Sequence, residues 1–241
     1  LTHPQLSLPL GWRDGGRFRD FHAGQGNRDC VEQLRACLAA GDQAILLVGP
    51  SGSGKTHLLL AALAECPIGG GRYLSLDRPA EECLALLTTL PPLTLVCLDD
   101  ADRHIGRREV ELAMFDSFNR IRDHAGTVLL SAARVPTAEQ FALPDLASRL
   151  LGATRCVLRP LSDEELAAAW IERARARGLE PDPLAVDWLL RHQPRDFKSL
   201  IRALDQLDSA ALAARRRLSL NFVRAQLRSS EPDGQQPIDR D

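Results

Sequence analysis

The apolar positions of this chain fall into two regimes that meet near residue 160. Ahead of that point, short apolar runs alternate with stretches of helical period. Residues 43–48, 93–98 and 127–132 are apolar on successive positions, the mark of strands buried on both faces, and residues 72–76 and 155–158 carry two weaker strand patterns. Between them lie the helical stretches. Val31, Leu34 and Leu38 recur at helical spacing behind Asn27, a residue suited to cap a helix N-terminus. Residues 57–64 are good helix formers, and a helix over 81–90 is closed by Pro91-Pro92. Val110, Leu112, Ala113, Phe115, Phe118 and Ile121 mark one face of a helix over 109–124, and residues 143–150 open with Pro144 and Asp145 as a helix does.

Past Pro160 no strand pattern appears. Ser162 and Glu165 have capping-box spacing, so a helix should start there and run to about Arg177, with Gly178 as its stop. Residues 183–192, 197–212 and 220–227 are three further helical patterns. The expected fold class is therefore α/β, a parallel five-stranded sheet flanked by helices over residues 18–159, followed by a small all-helical domain over 160–228. Residues 1–17 read as an arm, and the polar residues 229–241 as a disordered tail.

The junction of the first strand and the helix behind it carries chemistry. Gly49-Pro50-Ser51-Gly52-Ser53-Gly54-Lys55-Thr56 fills the P-loop pattern G-x-x-x-x-G-K-[ST] in the strand–loop–helix setting that the pattern requires. Gly49, Gly52 and Gly54 leave room for a phosphate and let successive backbone N–H groups turn inward, and the helix N-terminus adds its positive end. Lys55 is placed to reach the β- and γ-phosphates and Thr56 to ligate Mg²⁺. Ser53 and His57 complete the expected contact set of the loop. About 45 residues downstream, the strand at 93–98 ends in Asp99-Asp100, the acidic close of a Walker B strand: Asp99 would hold Mg²⁺ through water, and Asp100 would polarise the attacking water. Ser131, at the end of the next strand, is either a hydrogen-bonding partner of the γ-phosphate or water, or an ordinary strand-end residue. Phe21 lies just ahead of the first strand, where it can flank an adenine or simply pack in the core. Arg149 ends the helix at 143–150 among apolar neighbours, and it can form a salt bridge, snorkel, or be presented to a nucleotide on another subunit.

Composition narrows the partners. With 30 basic and 32 acidic residues the net charge is −2, so no global field favours wrapping nucleic acid. Arg215-Arg216-Arg217 is a local exception, read as a solvated helix end ahead of a nonspecific phosphate contact. The 6 cysteines form no metal spacing and read as reduced core thiols of a cytoplasmic protein. No apolar run approaches the roughly 20 residues of a membrane span. Within the arm, Gln5-Leu6-Ser7-Leu8-Pro9-Leu10 sets apolar residues at alternate positions; it can enter a groove on another protein or fold back on its own sheet.

The order of P-loop, Walker B, Arg-bearing helix and helical lid resembles an AAA+ module. Residues 143–150 (LPDLASRL), 160–164 (PLSDE) and 204–208 (LDQLD) resemble the DnaA initiator family, in particular its short regulatory members. The resemblance implies ADP or ATP with Mg²⁺ as ligands, and DnaA and the β sliding clamp of DNA polymerase III as partners. DNA would be met only through the clamp, with no membrane, and a homo-oligomer is compatible. Gln5, Leu6, Leu8, Pro9 and Leu10 become the clamp-binding arm. Arg149 becomes an arginine finger offered in trans to DnaA, whose ATP hydrolysis it promotes, thereby repressing initiation of replication. Intrinsic turnover would be weak or absent. Lys198 stands where the family usually has a γ-phosphate-sensing Arg; it keeps the charge and loses the planar two-pronged grip. No helix-turn-helix domain is expected after Leu227. The competing expectation from the same motifs is a self-sufficient AAA+ ATPase or helicase loader, with a small-molecule kinase further off.

Overall fold

Strands β1 (Ala44–Val48), β2 (Gly71–Ser75), β3 (Leu95–Asp99), β4 (Thr127–Ala132) and β5 (Thr154–Val157) form one sheet in the order β2-β3-β4-β1-β5. All four pairings are parallel. The computed structural model describes residues 16–194, 197–214 and 218–228, and the chain divides into two compact units, one up to Pro160 and one from Leu161.

The near-continuous apolar runs are explained by helices on both faces. Ile45, Leu47, Cys97, Leu129 and Cys156 point to the face covered by α1 (Arg28–Ala40) and α2 (Lys55–Glu65). Leu46, Val48, Val96, Leu98, Val128 and Leu130 point to the other, covered by α3 (Ala80–Thr88), α4 (Arg108–Arg122) and α5 (Pro144–Leu151). Strand β1 lies between β4 and β5, so the loop that leaves Val48 emerges beside the carboxyl ends of its neighbours. Open parallel sheets gather ligands at that edge.

Two local expectations are corrected. Asn27 sits at the N-cap position of α1 without capping it. Its amide instead clasps the exit of β5, donating to the Arg159 carbonyl at 3.0 Å and accepting from the Arg159 N–H at 2.7 Å. In α4 the buried stripe is Val110, Glu111, Ala113, Met114, Ser117, Phe118 and Ile121, while Leu112 is 49% exposed. A charged residue thus lies inside and a Leu outside, because Glu111 has backbone partners that a leucine lacks.

The second unit contains α6 (Asp163–Ala176), α7 (Pro183–His192), α8 (Phe197–Ala214) and α9 (Leu220–Arg228) around a fully buried Trp170. The indole N–H of Trp170 donates to the Leu200 carbonyl at 3.0 Å, which satisfies the ring's one polar group. The capping box is present, with the Glu165 N–H on Ser162 Oγ at 3.2 Å and the Ser162 N–H on Glu165 Oε2 at 2.9 Å. Gly178 follows α6 at φ +74°, the left-handed turn that a C-terminal glycine supplies. Among the described residues no helix is long and apolar enough to cross a membrane.

Candidate nucleotide-binding site

The loop from Gly49 to Gly54 needs its glycines for steric reasons. A Cβ on Gly49 would lie 2.7 Å from Ser53 Oγ and 2.9 Å from the Leu158 carbonyl oxygen. Gly52 and Gly54 have φ of +78° and +94°, and a Cβ on Gly54 would meet the Phe21 ring at 2.5 Å. Gly54 has no side chain to cap α2, so the first N–H groups of that helix have no side-chain acceptor. Ser53 Oγ is buried and has no hydrogen-bond partner among the described residues. An unfilled buried hydroxyl, a glycine cradle and an uncapped helix start together fit a phosphate chain.

Lys55 is 8% exposed and folds back over the loop, its Nζ donating to the carbonyls of Gly49 at 2.6 Å and Pro50 at 3.0 Å. Burial lowers its pKa, and the negative charges of Asp100, Asp99 and Asp102 oppose that shift. The ammonium is therefore held at the loop, beside the acids, on carbonyls that a phosphate can replace. Lys55→Ala should weaken ADP binding by about 10² while leaving the fold intact, since a charge-assisted hydrogen bond contributes about 1.5–3 kcal/mol. Calorimetric titration of ADP checks this; unchanged affinity would remove Lys55 from the site.

Phe21 and His57 belong together. The His57 ring is buried; its Nε2 donates to the Arg17 carbonyl at 3.0 Å, and the ring packs tilted against Phe21 with centroids 5.5 Å apart. His57 thus anchors residues 17–21 beside Gly54, and Phe21, half-buried, is positioned next to the loop.

The acidic end is tied together by hydroxyls. Asp99 is 2% exposed, and its Oδ2 accepts from Thr56 Oγ1 at 2.6 Å and from the Tyr73 hydroxyl at 2.8 Å. Ser131 donates to Asp99 Oδ1 and accepts the Asp100 N–H at 2.9 Å. Ser131 is fully buried, so it stands between the two acids, a more specific place than a strand-end turn. Asp100 adopts φ +56° and ψ +43°, a left-handed conformation that Asp tolerates better than most residues. Burial raises the pKa of its carboxyl, the neighbouring Asp99 raises it further, and Lys55 pulls the other way. Tyr73 was not marked by any motif.

Among the described residues no group of three or more His, Cys, Asp and Glu side chains is arranged to hold a metal ion. The donor set would suit a Mg²⁺ that brings phosphate oxygens and water with it: Thr56 would hold the ion through its hydroxyl oxygen, and Asp99, which accepts the Thr56 hydroxyl, would hold it through water.

Arg149 lies in the last turn of α5, exposed, with no ion pair or hydrogen bond among the described residues. Among the described residues the salt bridge is thereby absent, and an exposed guanidinium is compatible with both snorkelling and presentation to another molecule. The start of α5 is fixed by Glu111, fully buried, whose Oε2 accepts the Leu143 N–H and whose Oε1 accepts the Gly106 N–H, each at 2.6 Å. One carboxylate thus joins the segment after β3 to the helix that carries Arg149. Lys198 lies in the first turn of α8, and its side chain is outside the described residues, as are Gln5, Leu6, Leu8, Pro9 and Leu10.

Residues 163–227 match the family model described as Hda, lid domain. The C-terminal unit is similar, over those residues, to an Hda lid domain. The fold, a parallel sheet flanked by helices and followed by a helical unit, is similar to those of solved DnaA and RuvB structures. Domain III of the Thermotoga maritima replication initiation protein DnaA is similar at TM-score 0.73 and 18% identity, over 90% of this chain and 97% of that one. AMPPCP-bound DnaA from Aquifex aeolicus is similar at TM-score 0.68 and 21% identity, over 91% of this chain and 70% of that one. Thermotoga maritima RuvB is similar at TM-score 0.62 and 19% identity, over 86% of this chain and 70% of that one. The Hda lid match and the DnaA-like fold together bear out the α/β class and the resemblance read from residues 143–150, 160–164 and 204–208.

Proposed function

We propose that this chain is a clamp-tethered, adenine-nucleotide-binding AAA+ regulator that stimulates hydrolysis of ATP held by DnaA and so represses initiation of chromosomal replication. The observation that carries the proposal is Arg149, a solvent-facing guanidinium without an ion partner among the described residues, in a chain whose residues 163–227 match an Hda lid domain. An arginine with no structural partner at the end of a short helix is available to a phosphate on another molecule. In this reading the nucleotide bound at Gly49, Gly52, Gly54, Lys55 and Thr56 sets the arrangement of the chain, and hydrolysis takes place on the partner. The protein would act in the cytoplasm, where DnaA and the clamp are met.

The test is reconstitution. The full chain, the β clamp loaded on DNA and ATP-loaded DnaA should together lose DnaA-bound ATP faster than DnaA alone. Replacing Gln5 and Leu8 with Ala should cancel the acceleration by releasing the clamp. No acceleration by the parent chain sinks the proposal; acceleration that survives the double substitution removes the arm from it. The intact set of Lys55, Thr56, Asp99 and Asp100 favours a second reading, a self-sufficient ATPase. Steady-state ATP turnover by the chain alone, rising with its concentration, would select that reading.

A further inference from the structure

Asp99 is met by a hydroxyl from each of three elements packed around it: Thr56 from α2, Tyr73 from β2 and Ser131 from β4. Thr56 and Ser131 stand where the motifs place polar residues. Tyr73 reaches the acid through strand register. In the β2–β3 ladder Tyr73 pairs with Cys97 and Ser75 with Asp99, so Tyr73 and Asp99 share a sheet face one pleat period apart, a step that a Tyr side chain spans. The Tyr73 hydroxyl meets Asp99 Oδ2 at 2.8 Å, and a carboxylate has no proton to give, so the phenol is the donor.

A carboxylate offers about four lone-pair sites. On Asp99, Thr56 and Tyr73 use both sites of Oδ2 and Ser131 uses one of Oδ1, which leaves a single site, on Oδ1, for metal-bound water. The bond from Thr56 does not compete with a metal, because the same hydroxyl can offer its oxygen to Mg²⁺ while donating its proton to Asp99. The bond from Tyr73 only consumes an acceptor. We infer that Tyr73 is a positioning residue that occupies on Asp99 one of the two acceptor sites which Mg²⁺-bound water could otherwise use, and so lowers the dependence of nucleotide retention on Mg²⁺. The inference rests on reading the Gly49–Gly54 loop as an adenine-nucleotide site. It adds a physical reason for that site to hold a nucleotide through a change of free metal.

The experiment measures the affinity of the full-length chain for fluorescent ribose-labelled ADP in Mg²⁺ and in EDTA, with the parent and with Tyr73→Phe. Chelation should weaken binding to the parent by less than about threefold and to Tyr73→Phe by about tenfold or more, tenfold corresponding to one recovered hydrogen bond. Mn²⁺ binding to the ADP complex, followed by electron paramagnetic resonance, should be several-fold tighter for the variant. Phe keeps the ring, so a thermal melt should show the fold retained. Should the variant not fold, the chelation ratio of the parent still decides. Equal ratios in the two proteins, or a loss of tenfold or more for the parent, overturn the inference. If neither protein binds labelled ADP in Mg²⁺ or EDTA, the nucleotide-site reading itself falls, and this inference falls with it.

Discussion

An Arg149→Ala chain should bind ADP as the parent does, melt at the parent's temperature, and fail to accelerate the loss of ATP from DnaA. The three results are separable because of where Arg149 sits. Its side chain is exposed and makes no ion pair among the described residues, so its removal touches neither the core nor the loop. Exposed substitutions of that kind usually change stability within about 0.5 kcal/mol. An arginine that neutralises charge on a transferring phosphoryl group contributes on the order of 10³–10⁵ in rate. Arg149→Lys refines the test: Lys keeps the charge and loses the fork that spans two phosphate oxygens, so most of the stimulation should still be lost. Single-turnover loss of radiolabelled ATP from DnaA, with the clamp on DNA, is the measurement. Stimulation that survives either substitution places the catalytic cation elsewhere.

The second large effect is expected at Glu111, on stability. Its carboxylate accepts two backbone N–H groups at 2.6 Å each, from Gly106 and Leu143, in a position with no solvent exposure. Glu111→Ala strands both donors in the interior, and each stranded donor costs about 1–3 kcal/mol. The sum, roughly 2–6 kcal/mol, is a large part of the 5–15 kcal/mol that holds a typical domain together. Scanning calorimetry should show the melting temperature lowered by roughly 5–20 °C. Glu111→Gln keeps one acceptor and turns an NH₂ toward the other N–H, so it should also destabilise, although it preserves volume. Hydrogen exchange should then rise at Leu143 ahead of the rest of α5. A Glu111→Ala chain that melts with the parent would show that water replaces the carboxylate at no cost.

Much of this architecture is legible in the apolar pattern, and the exceptions share a cause. Strands β1, β3 and β4 are runs of successive apolar residues because helices cover both faces, and the P-loop declares itself by spacing alone. Strand order does not lie in the pattern, since an apolar run says that a strand is buried without saying between which neighbours. The missed residues were polar side chains whose partners are far away in sequence. Tyr73 lies 26 positions from Asp99, Glu111 lies 32 from Leu143, and Asn27 lies 132 from Arg159. Local rules assign Asn27 to its own helix, and the apolar stripe read for the helix over 109–124 passes over Glu111. In each case a distant backbone or carboxyl group was the better partner, and burial strengthened that preference. Ser131 shows the intermediate case: its strand-end position was read, and its place between Asp99 and Asp100 follows only once β3 and β4 pair.

The position of β1 also has a consequence for how the site comes into being on the ribosome. Its partners arrive late: Ala44 pairs with Val128, and Val48 pairs with Ala132 and Val157. At a synthesis rate of about 5–20 residues per second, more than a hundred residues must follow Val48 before β5 exists, a wait of roughly 5–20 seconds. Until β4 follows, for most of that interval, the most apolar strand of the chain has no lasting neighbour, while β2 and β3 can already pair with each other. The phosphate loop is thus translated early and assembled last. A nucleotide cannot template the first steps of folding; it meets a sheet that has already closed around β1, and it stabilises only molecules that have finished.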